Sequence, residues 1–450
     1  MSTETITAIS TGGTNSGINI IRISGENSFK IIQEIFSNYN KLDHQKIIYG
    51  KILKENKYIV DEVLVSYFKA PNSYTGEDIC EINCHGGRKV TKDILNLIIE
   101  TGLARLAEPG EFSKRAFING KMDLSKAEAV IDIINAKTNI QANVATKQLE
   151  GSIKNKIDIL KLPLINMIAN IEVGIDYPEY EYDELGTEQI HSQIVEVLNG
   201  VEDLIDTYNK GRYIKNGINI GIIGSPNSGK SSLLNYLSNS DRAIVTDIAG
   251  TTRDVIEEKI ILGDLEVNLF DTAGIRKTED IVENIGINKS IETIDNSDLI
   301  LLMVDSTKGI EQEDKNIIEM LKQKEKPYII CFNKIDISRE NKEENEEYIY
   351  ISAKTGKGID KLEQIISDRF NLIKYNNNEE LILINERHKI ALGKCRDNLL
   401  SAKKQIEEGQ TIDLITIDIT EALQNINSIT GEDVSEEVVN QIFEKFCLGK

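Results

Sequence analysis

The residues of this 450-residue chain best placed to do chemistry lie near its middle. Gly224-Ser225-Pro226-Asn227-Ser228-Gly229-Lys230-Ser231 has the form G-x-x-x-x-G-K-[ST]. It follows the apolar run Ile218 to Ile223 and precedes Leu233, Leu234 and Leu237. That order predicts a buried strand, a tight loop and a helix. Backbone N–H groups then converge on an anion, and the helix dipole and the Lys230 ammonium add positive charge. Ser231 offers a hydroxyl for Mg²⁺, with Ser232 beside it. Asp271-Thr272-Ala273-Gly274 closes the run Val267 to Phe270, placing a carboxylate near the metal and a glycine N–H near a γ-phosphate. Between them, Thr246-Asp247-Ile248-Ala249-Gly250-Thr251-Thr252-Arg253-Asp254 forms an expected switch, with Thr252 as the second Mg²⁺ hydroxyl.

Two further stretches choose the base. Asn333-Lys334-Ile335-Asp336 ends the apolar run Tyr328 to Phe332, and Ser352-Ala353-Lys354 follows Tyr348 to Ile351. A carboxylate at Asp336 accepts from the N1–H and 2-amino group of guanine, donors that adenine lacks. A buried acceptor left unpaired discriminates strongly. Five motifs in this order resemble the translation-factor-like class of GTPases, and the resemblance implies GTP as the nucleotide.

The length allows roughly three domains, and 40% apolar content is ordinary for a globular chain. No apolar run approaches a membrane span, and MSTETITAIS lacks a basic stretch followed by an apolar one, so a cytoplasmic protein is expected. Net charge is −21, from 52 basic and 73 acidic residues. Such a chain repels bulk nucleic acid, so an RNA substrate needs a local basic patch or a basic partner. The five cysteines (Cys80, Cys84, Cys331, Cys395 and Cys447) are scattered and odd in number, against a disulfide framework. Cys80-x-x-x-Cys84-His85 suggests either zinc or buried strand cysteines.

Residues 1–118 read as α+β. Strands are expected over Ile18 to Ile23, Tyr58 to Phe68 and Ile79 to Cys84, and a helix over Lys92 to Thr101. Two charged, glycine- and aromatic-bearing loops, Pro71 to Asp78 and Ala107 to Phe117, are either a ligand site or a polar domain edge. From Asp123 helical stripes take over: Leu124, Ala127, Ile131 and Ile134; then Ile153, Ile157, Leu160, Leu164, Ile168 and Ile171, with a kink expected at Pro163; then Ile190 to Tyr208. Asp176 to Asp183 reads as a solvated loop, and Glu340 to Glu347 as a solvated charge run. Helical patterning returns after the Lys374 to Glu380 linker. The expected architecture is an N-terminal α+β domain, a helical bundle over 119–212 and 376–450, and a Ras-like α/β domain over 213–375 inserted between the bundle's two parts.

Read together, SYTGEDICEINCHGG, EPGEFSKRAFINGKMDLSKAEA, the nucleotide motifs and Phe446-Cys447-Leu448-Gly449-Lys450 resemble the MnmE (TrmE) family of tRNA uridine modification GTPases, over essentially the whole chain. The resemblance implies a homodimer that works with the flavoprotein MnmG, the bearer of FAD and NADH. Together they attach an aminomethyl or carboxymethylaminomethyl group to C5 of the wobble uridine of certain tRNAs. The one-carbon unit comes from 5,10-methylene- or 5-formyl-tetrahydrofolate, and the family's folate positions fall on Arg22, Glu81, Lys121 and Lys450. Cys447 stands where the family has a cysteine important for modification. Ile275 occupies the place of the water-orienting glutamine of Ras-like enzymes. The resemblance therefore implies K⁺, held by Asn227 and oxygens around Thr246, Ile248 and Thr251, with Glu283 positioning the water and Arg276 coupling. The loop Gly12-Gly13-Thr14-Asn15-Ser16-Gly17 is poorer in glycine than the family's, although Ile21-Arg22-Ile23-Ser24-Gly25 is intact. Two rival readings remain: a GTPase switch for ribosome assembly or regulation without modification chemistry, and a stand-alone folate aminomethyltransferase, which leaves the guanine motifs unexplained.

Overall fold

The computed structural model describes residues 4–12, 15–54, 58–176, 187–239, 258–271, 291–338, 347–370 and 382–450. Outside the described residues lie the switch Thr246 to Asp254, Thr272 to Arg276, Glu283, the Lys374 to Glu380 linker and most of both acidic runs. The chain divides into two compact units. Residues 1–134, 146–201 and 391–450 form one, and residues 135–145 and 202–390 form the other.

The first unit contains β1 (Thr5–Ile9), β2 (Ile18–Ser24), β3 (Ile47–Lys54), β4 (Tyr58–Phe68), β5 (Ile79–His85) and β6 (Ala104–Leu106). They form one sheet in the order β3-β4-β5-β2-β1-β6, antiparallel except where β1 meets β6. Side-chain alternation sets the faces. Ile21, Ile23, Val65 and Ile82 turn inward against Ile31 and Ile32 of the helix Ser28–Ile35 and Ile94 and Ile98 of the helix Arg88–Glu100. Cys80 and Cys84 share this buried face, whereas the next residue, His85, points the other way and pairs with Asp61 through Nδ1 at 2.7 Å. A strand spaces residues four apart by roughly 13 Å, so the three side chains do not converge on one ion. Burial raises both thiols, and it pushes Cys331 and Cys395 elsewhere up to about 12.

The helix Ser152–Asp176 continues through Pro163. Its buried stripe runs Ile153, Ile157, Leu160, Leu164, Met167 and Ile171, so Met167 takes the place expected for Ile168. At 100° per residue position 167 lies nearer the mean direction of the stripe than 168 does. A second correction falls at Thr207, where the stripe Ile190 to Tyr208 divides into helices Thr187–Asp206 and Tyr208–Asn216. The Thr207 hydroxyl donates to the Leu204 carbonyl and accepts from the Leu383 amide at the break.

The second unit contains β7 (Ile218–Ile223), β8 (Glu258–Leu262), β9 (Leu265–Asp271), β10 (Leu299–Asp305), β11 (Tyr328–Asn333) and β12 (Tyr348–Tyr350). The sheet order is β12-β11-β10-β7-β9-β8, parallel throughout except for the antiparallel β8–β9 pair. Leu299, Leu301 and Met303 face the helices Lys230–Asn239 and Ile359–Phe370, and Ile300, Leu302 and Val304 face the helix Gln312–Gln323. Cover on both faces explains why these strands read as continuous apolar runs. In a parallel sheet of this kind ligands gather at the carboxyl ends of the strands. The residues expected to bind nucleotide follow or close β7, β9, β11 and β12.

Leu302→Ala, at a fully buried position of β10, is expected to cost about 2–5 kcal/mol in urea denaturation. A loss below about 0.5 kcal/mol, the size of a surface effect, would contradict this packing.

Candidate functional site

At the end of β7 the chain turns sharply. Gly224, Asn227 and Gly229 have φ of 148°, 63° and 100°, so the loop curls through left-handed conformations before the helix starts at Lys230. Two of these positions admit no side chain for a second reason. A Cβ on Gly224 would meet the Met303 carbonyl at 2.3 Å, and one on Gly229 would lie 2.0 Å from Asn333 Nδ2. Asn333 is 3% exposed. Its Nδ2 donates to the Ser228 carbonyl at 2.9 Å, and its Oδ1 accepts from the Ala353 amide at 2.9 Å. One side chain therefore ties three of the sequence motifs together.

The loop borders a cavity of about 660 Å³, lined on one side by Asn227, Lys230 and Ser231 and on the other by Lys334, Asp336 and Lys354. Lys230 Nζ donates to the carbonyls of Gly224 and Ser225 at 2.7 and 3.0 Å. Ser228 is buried in the loop, and its hydroxyl has no hydrogen-bond partner among the described residues. Left-handed glycines, a held ammonium and an orphan hydroxyl at a helix start suit an anion. Asp336 accepts from Ser352 Oγ at 2.7 Å, which, with the Lys354 charge nearby, holds its carboxyl below the usual range. It is thus an ionised acceptor at the far end of the cavity.

Lys334, with φ 71°, places Nζ 2.5 Å from Asp305 Oδ2 at the end of β10. Burial opposes charge on Asp305, but hydrogen bonds from Lys334 and Thr307 bring its carboxyl down to about 2. Sequence reasoning passes over Asp305, although a carboxylate closing the apolar run Leu299 to Val304 carries the same signal as Asp271. The backbone of Asp271 closes β9, and its side chain lies outside the described residues. Ser231 and Asn227 are the described members of the expected Mg²⁺ and K⁺ sets, and both line the cavity. A hydroxyl and an amide oxygen suit those hard cations.

The other cluster of expected residues is in the first unit. Arg22 and Glu81 are register partners on β2 and β5, and Nε meets Oε1 at 2.8 Å. The guanidinium lies over the rings of Tyr74 and Phe112, at 5.4 and 5.6 Å, two aromatic residues that pair-spacing arguments do not single out. Lys121 Nζ donates to the Pro71 carbonyl at 2.8 Å. Near Lys450, Gly449 packs on the end of β1: its Cβ would meet the Ile9 carbonyl at 2.4 Å, and its own carbonyl accepts from Ser10 Oγ. Ala8, next to Ile9, is the register partner of Arg22. Cys447 is exposed, and its carbonyl accepts from the Lys450 amide.

Much of the charge in the two particular loops is used structurally. Arg115 bridges Glu77 of the first loop and Glu111 of the second, and Arg105 forms a two-pronged pair with Glu111. Ser16, in the described part of the glycine-poor loop, is also anchored. Buried Asn19 accepts from Thr11 and Ser16 hydroxyls, and the Ser16 carbonyl sits where a Cβ on Gly86 would stand, at 2.1 Å.

A loop between a strand end and a helix start, a mostly parallel sheet and an ionised acceptor across one cavity are the marks of a P-loop nucleotide-binding fold. Comparison with known proteins narrows this. A model described as the MnmE helical domain matches residues 124–447, and one described as the GTP-binding protein TrmE N-terminus matches residues 5–121. The tRNA modification GTPase MnmE of Acetivibrio thermocellus is 46% identical, covering 99% of both chains. That of Carboxydothermus hydrogenoformans is 44% identical over 100% of both. Among solved structures, Aquifex aeolicus Era bound to GDP·AlF4⁻ is 26% identical over 41% of this chain and 67% of its own, with a TM-score of 0.28. The chain belongs to the MnmE family of tRNA modification GTPases.

Burial opposes charge on Glu111, yet Arg105, the Glu108 amide and Arg115 hold its carboxyl at about 2, below the ordinary 4.5. A depressed carboxyl stabilises the fold above its unfolded pKa and loses that contribution as pH falls through the folded value. Glu111→Gln should therefore be less stable than the parent at pH 7 by on the order of 2 kcal/mol. The gap should close between about pH 4.5 and 2. A gap independent of pH in denaturant titrations would contradict this.

Proposed function

We propose that this tRNA modification GTPase hydrolyses GTP at the cavity beside β7 and β11 to drive wobble-uridine modification, with the one-carbon chemistry supplied at the Arg22–Glu81 cluster. In this reading Asn227 to Ser232 cradle the phosphates, Asp336, Ser352, Ala353 and Lys354 select guanine, and Ser231, Thr252 and the strand-end Asp271 serve Mg²⁺. The switch residues Thr246 to Thr252 and the segment Thr272 to Gly274 close on the γ-phosphate. What carries the reading is the Asn333 side chain, which joins the phosphate loop to the Ala353 amide across 2.9 Å on each side. A carboxylate already ionised at Asp336 then meets the two guanine donors without first having to lose a proton.

With Ile275 where a glutamine would orient water, charge neutralisation falls to a monovalent cation. K⁺ held by Asn227, Thr246, Ile248 and Thr251 would lower the cost of charge developing on the transferring phosphoryl group, as an arginine finger does. Glu283 positions the attacking water, and Arg276 couples the segment to the rest of the chain. Residues 1–118 act as the folate-binding and dimerisation domain, residues 119–212 and 376–450 as the helical domain, and residues 213–375 as the GTPase domain. The folate, as 5,10-methylene- or 5-formyl-tetrahydrofolate, supplies the one-carbon unit. Glu81 suits the amidine-like edge of a pterin, and Arg22, Lys121 and Lys450 suit its carboxylate tail. The Arg22–Glu81 pair supports this: both side chains are largely buried, and the Arg22 guanidinium is backed by the rings of Tyr74 and Phe112. The flavoprotein MnmG brings FAD and NADH and much of the tRNA contact, consistent with a net charge of −21 here, and Cys447 takes part in modification. The assembly is a cytoplasmic homodimer joined to MnmG.

GTP turnover should be several-fold faster in K⁺ than in Na⁺. Asn227→Ala should abolish that difference while leaving GTP affinity nearly intact, and equal wild-type rates in the two salts would end the cation assignment. Arg22→Ala should weaken 5-formyl-tetrahydrofolate binding at least about tenfold, as loss of a charged hydrogen bond does. Unchanged affinity by calorimetry would remove Arg22 from the folate site.

A further inference from the structure

The phosphate loop is held from the outside as well as by Asn333. Its first corner, Gly224-Ser225, is pressed against β10: a Cβ on Gly224 would stand 2.3 Å from the Met303 carbonyl. Seven residues beyond the end of β10 the helix Gln312–Gln323 begins, with Glu311 as its N-cap. Its third residue, Asp314, is only 2% exposed. One carboxylate oxygen closes the capping box by accepting from the Glu311 amide at 3.0 Å. The other leaves its own helix and accepts from Ser225 Oγ at 2.8 Å. Capping needs only the first of these bonds. The buried carboxylate is favoured where it stands by the positive end of the helix, so a charged acceptor can be kept there for the loop.

Ser225 is engaged at two atoms. Its hydroxyl goes to Asp314, and its carbonyl accepts from Lys230 Nζ at 3.0 Å and from the Ser228 amide at 3.3 Å. A rotation at Ser225 would therefore disturb the Lys230 ammonium and the turn that aims the following N–H groups. Those groups must be in place before the nucleotide arrives, because ordering them on binding would be charged against affinity.

We propose that Asp314 is a positioning residue for GTP binding: through the Ser225 hydroxyl it fixes the first corner of the phosphate loop in the shape that receives the nucleotide. The proposal rests on the GTP assignment of this cavity. Neither residue lines the cavity, so the effect falls on nucleotide retention and KM more than on kcat.

The test is stopped-flow release of a fluorescent GDP from the full-length chain, with steady-state GTP turnover alongside. Ser225→Ala leaves the capping box intact and should speed GDP release and raise KM about tenfold or more, the range of one hydrogen bond to a charged group. Ser225→Thr keeps a hydroxyl and should restore both. Asp314→Asn should match Ser225→Ala, and the double variant should be no worse than either single one. Wild-type release from Ser225→Ala, failure of threonine to rescue, or additive losses in the double variant would each overturn the proposal. Asp314→Asn could fail to fold without affecting the first two outcomes. If the wild-type chain retained no guanine nucleotide at all, the GTP assignment itself would fall, a result distinct from any of these.

Discussion

A single amide holds the nucleotide site together. Asn333 closes β11 with both ends of its side chain committed, Nδ2 to the Ser228 carbonyl and Oδ1 to the Ala353 amide. It is nearly fully buried, so neither bond can be replaced by water without cost. Gly229 must be glycine because Nδ2 occupies the space a Cβ would need. The loop after β7 and the loop after β12 are consequently tied together, and a shift in either is felt by the other.

The parallel sheet makes that construction possible. β7, β10, β11 and β12 run the same way, so the residues following each strand emerge at one edge. Chemistry separated by more than a hundred residues in sequence is brought to one cavity without long loops having to find it. The same edge supplies Asp305 for Lys334. In the first unit the organising device is different. An antiparallel sheet presents Arg22 and Glu81 directly opposite one another, and cross-strand pairing sets their distance. Around them, Arg115 holds the two loops to each other through Glu77 and Glu111, and Arg105 of β6 pairs with Glu111 as well.

How far the fold can be read from sequence depends on how local its causes are. β4 and β7 are bounded as their apolar patterns predict, because turn residues flank each. β1, β3, β6 and β8 escape such reasoning. β1 is short and buried on both faces, and β3 lies half exposed. The break at Thr207 depends on Leu383, distant in sequence, and so leaves no local mark. The nucleotide motifs were legible because phosphate and base chemistry demands particular residues at fixed spacing. The Asn333 bridge, the aromatic floor beneath Arg22 and the Ser225–Asp314 bond are products of folding, and no spacing rule announces them.

The central claim is that Asp336 faces a guanine base in a cavity shared with the phosphate loop. It is tested most directly by competition of GTP, ATP and xanthosine triphosphate for a fluorescent GDP on the full-length chain and on Asp336→Asn. The wild type should prefer GTP over ATP by on the order of 10⁴. The variant, whose amide can donate to the 2-oxo group of xanthine, should lose GTP and gain xanthosine triphosphate. Equal competition by ATP and GTP on the wild type, or an unchanged preference in the variant, would contradict the account.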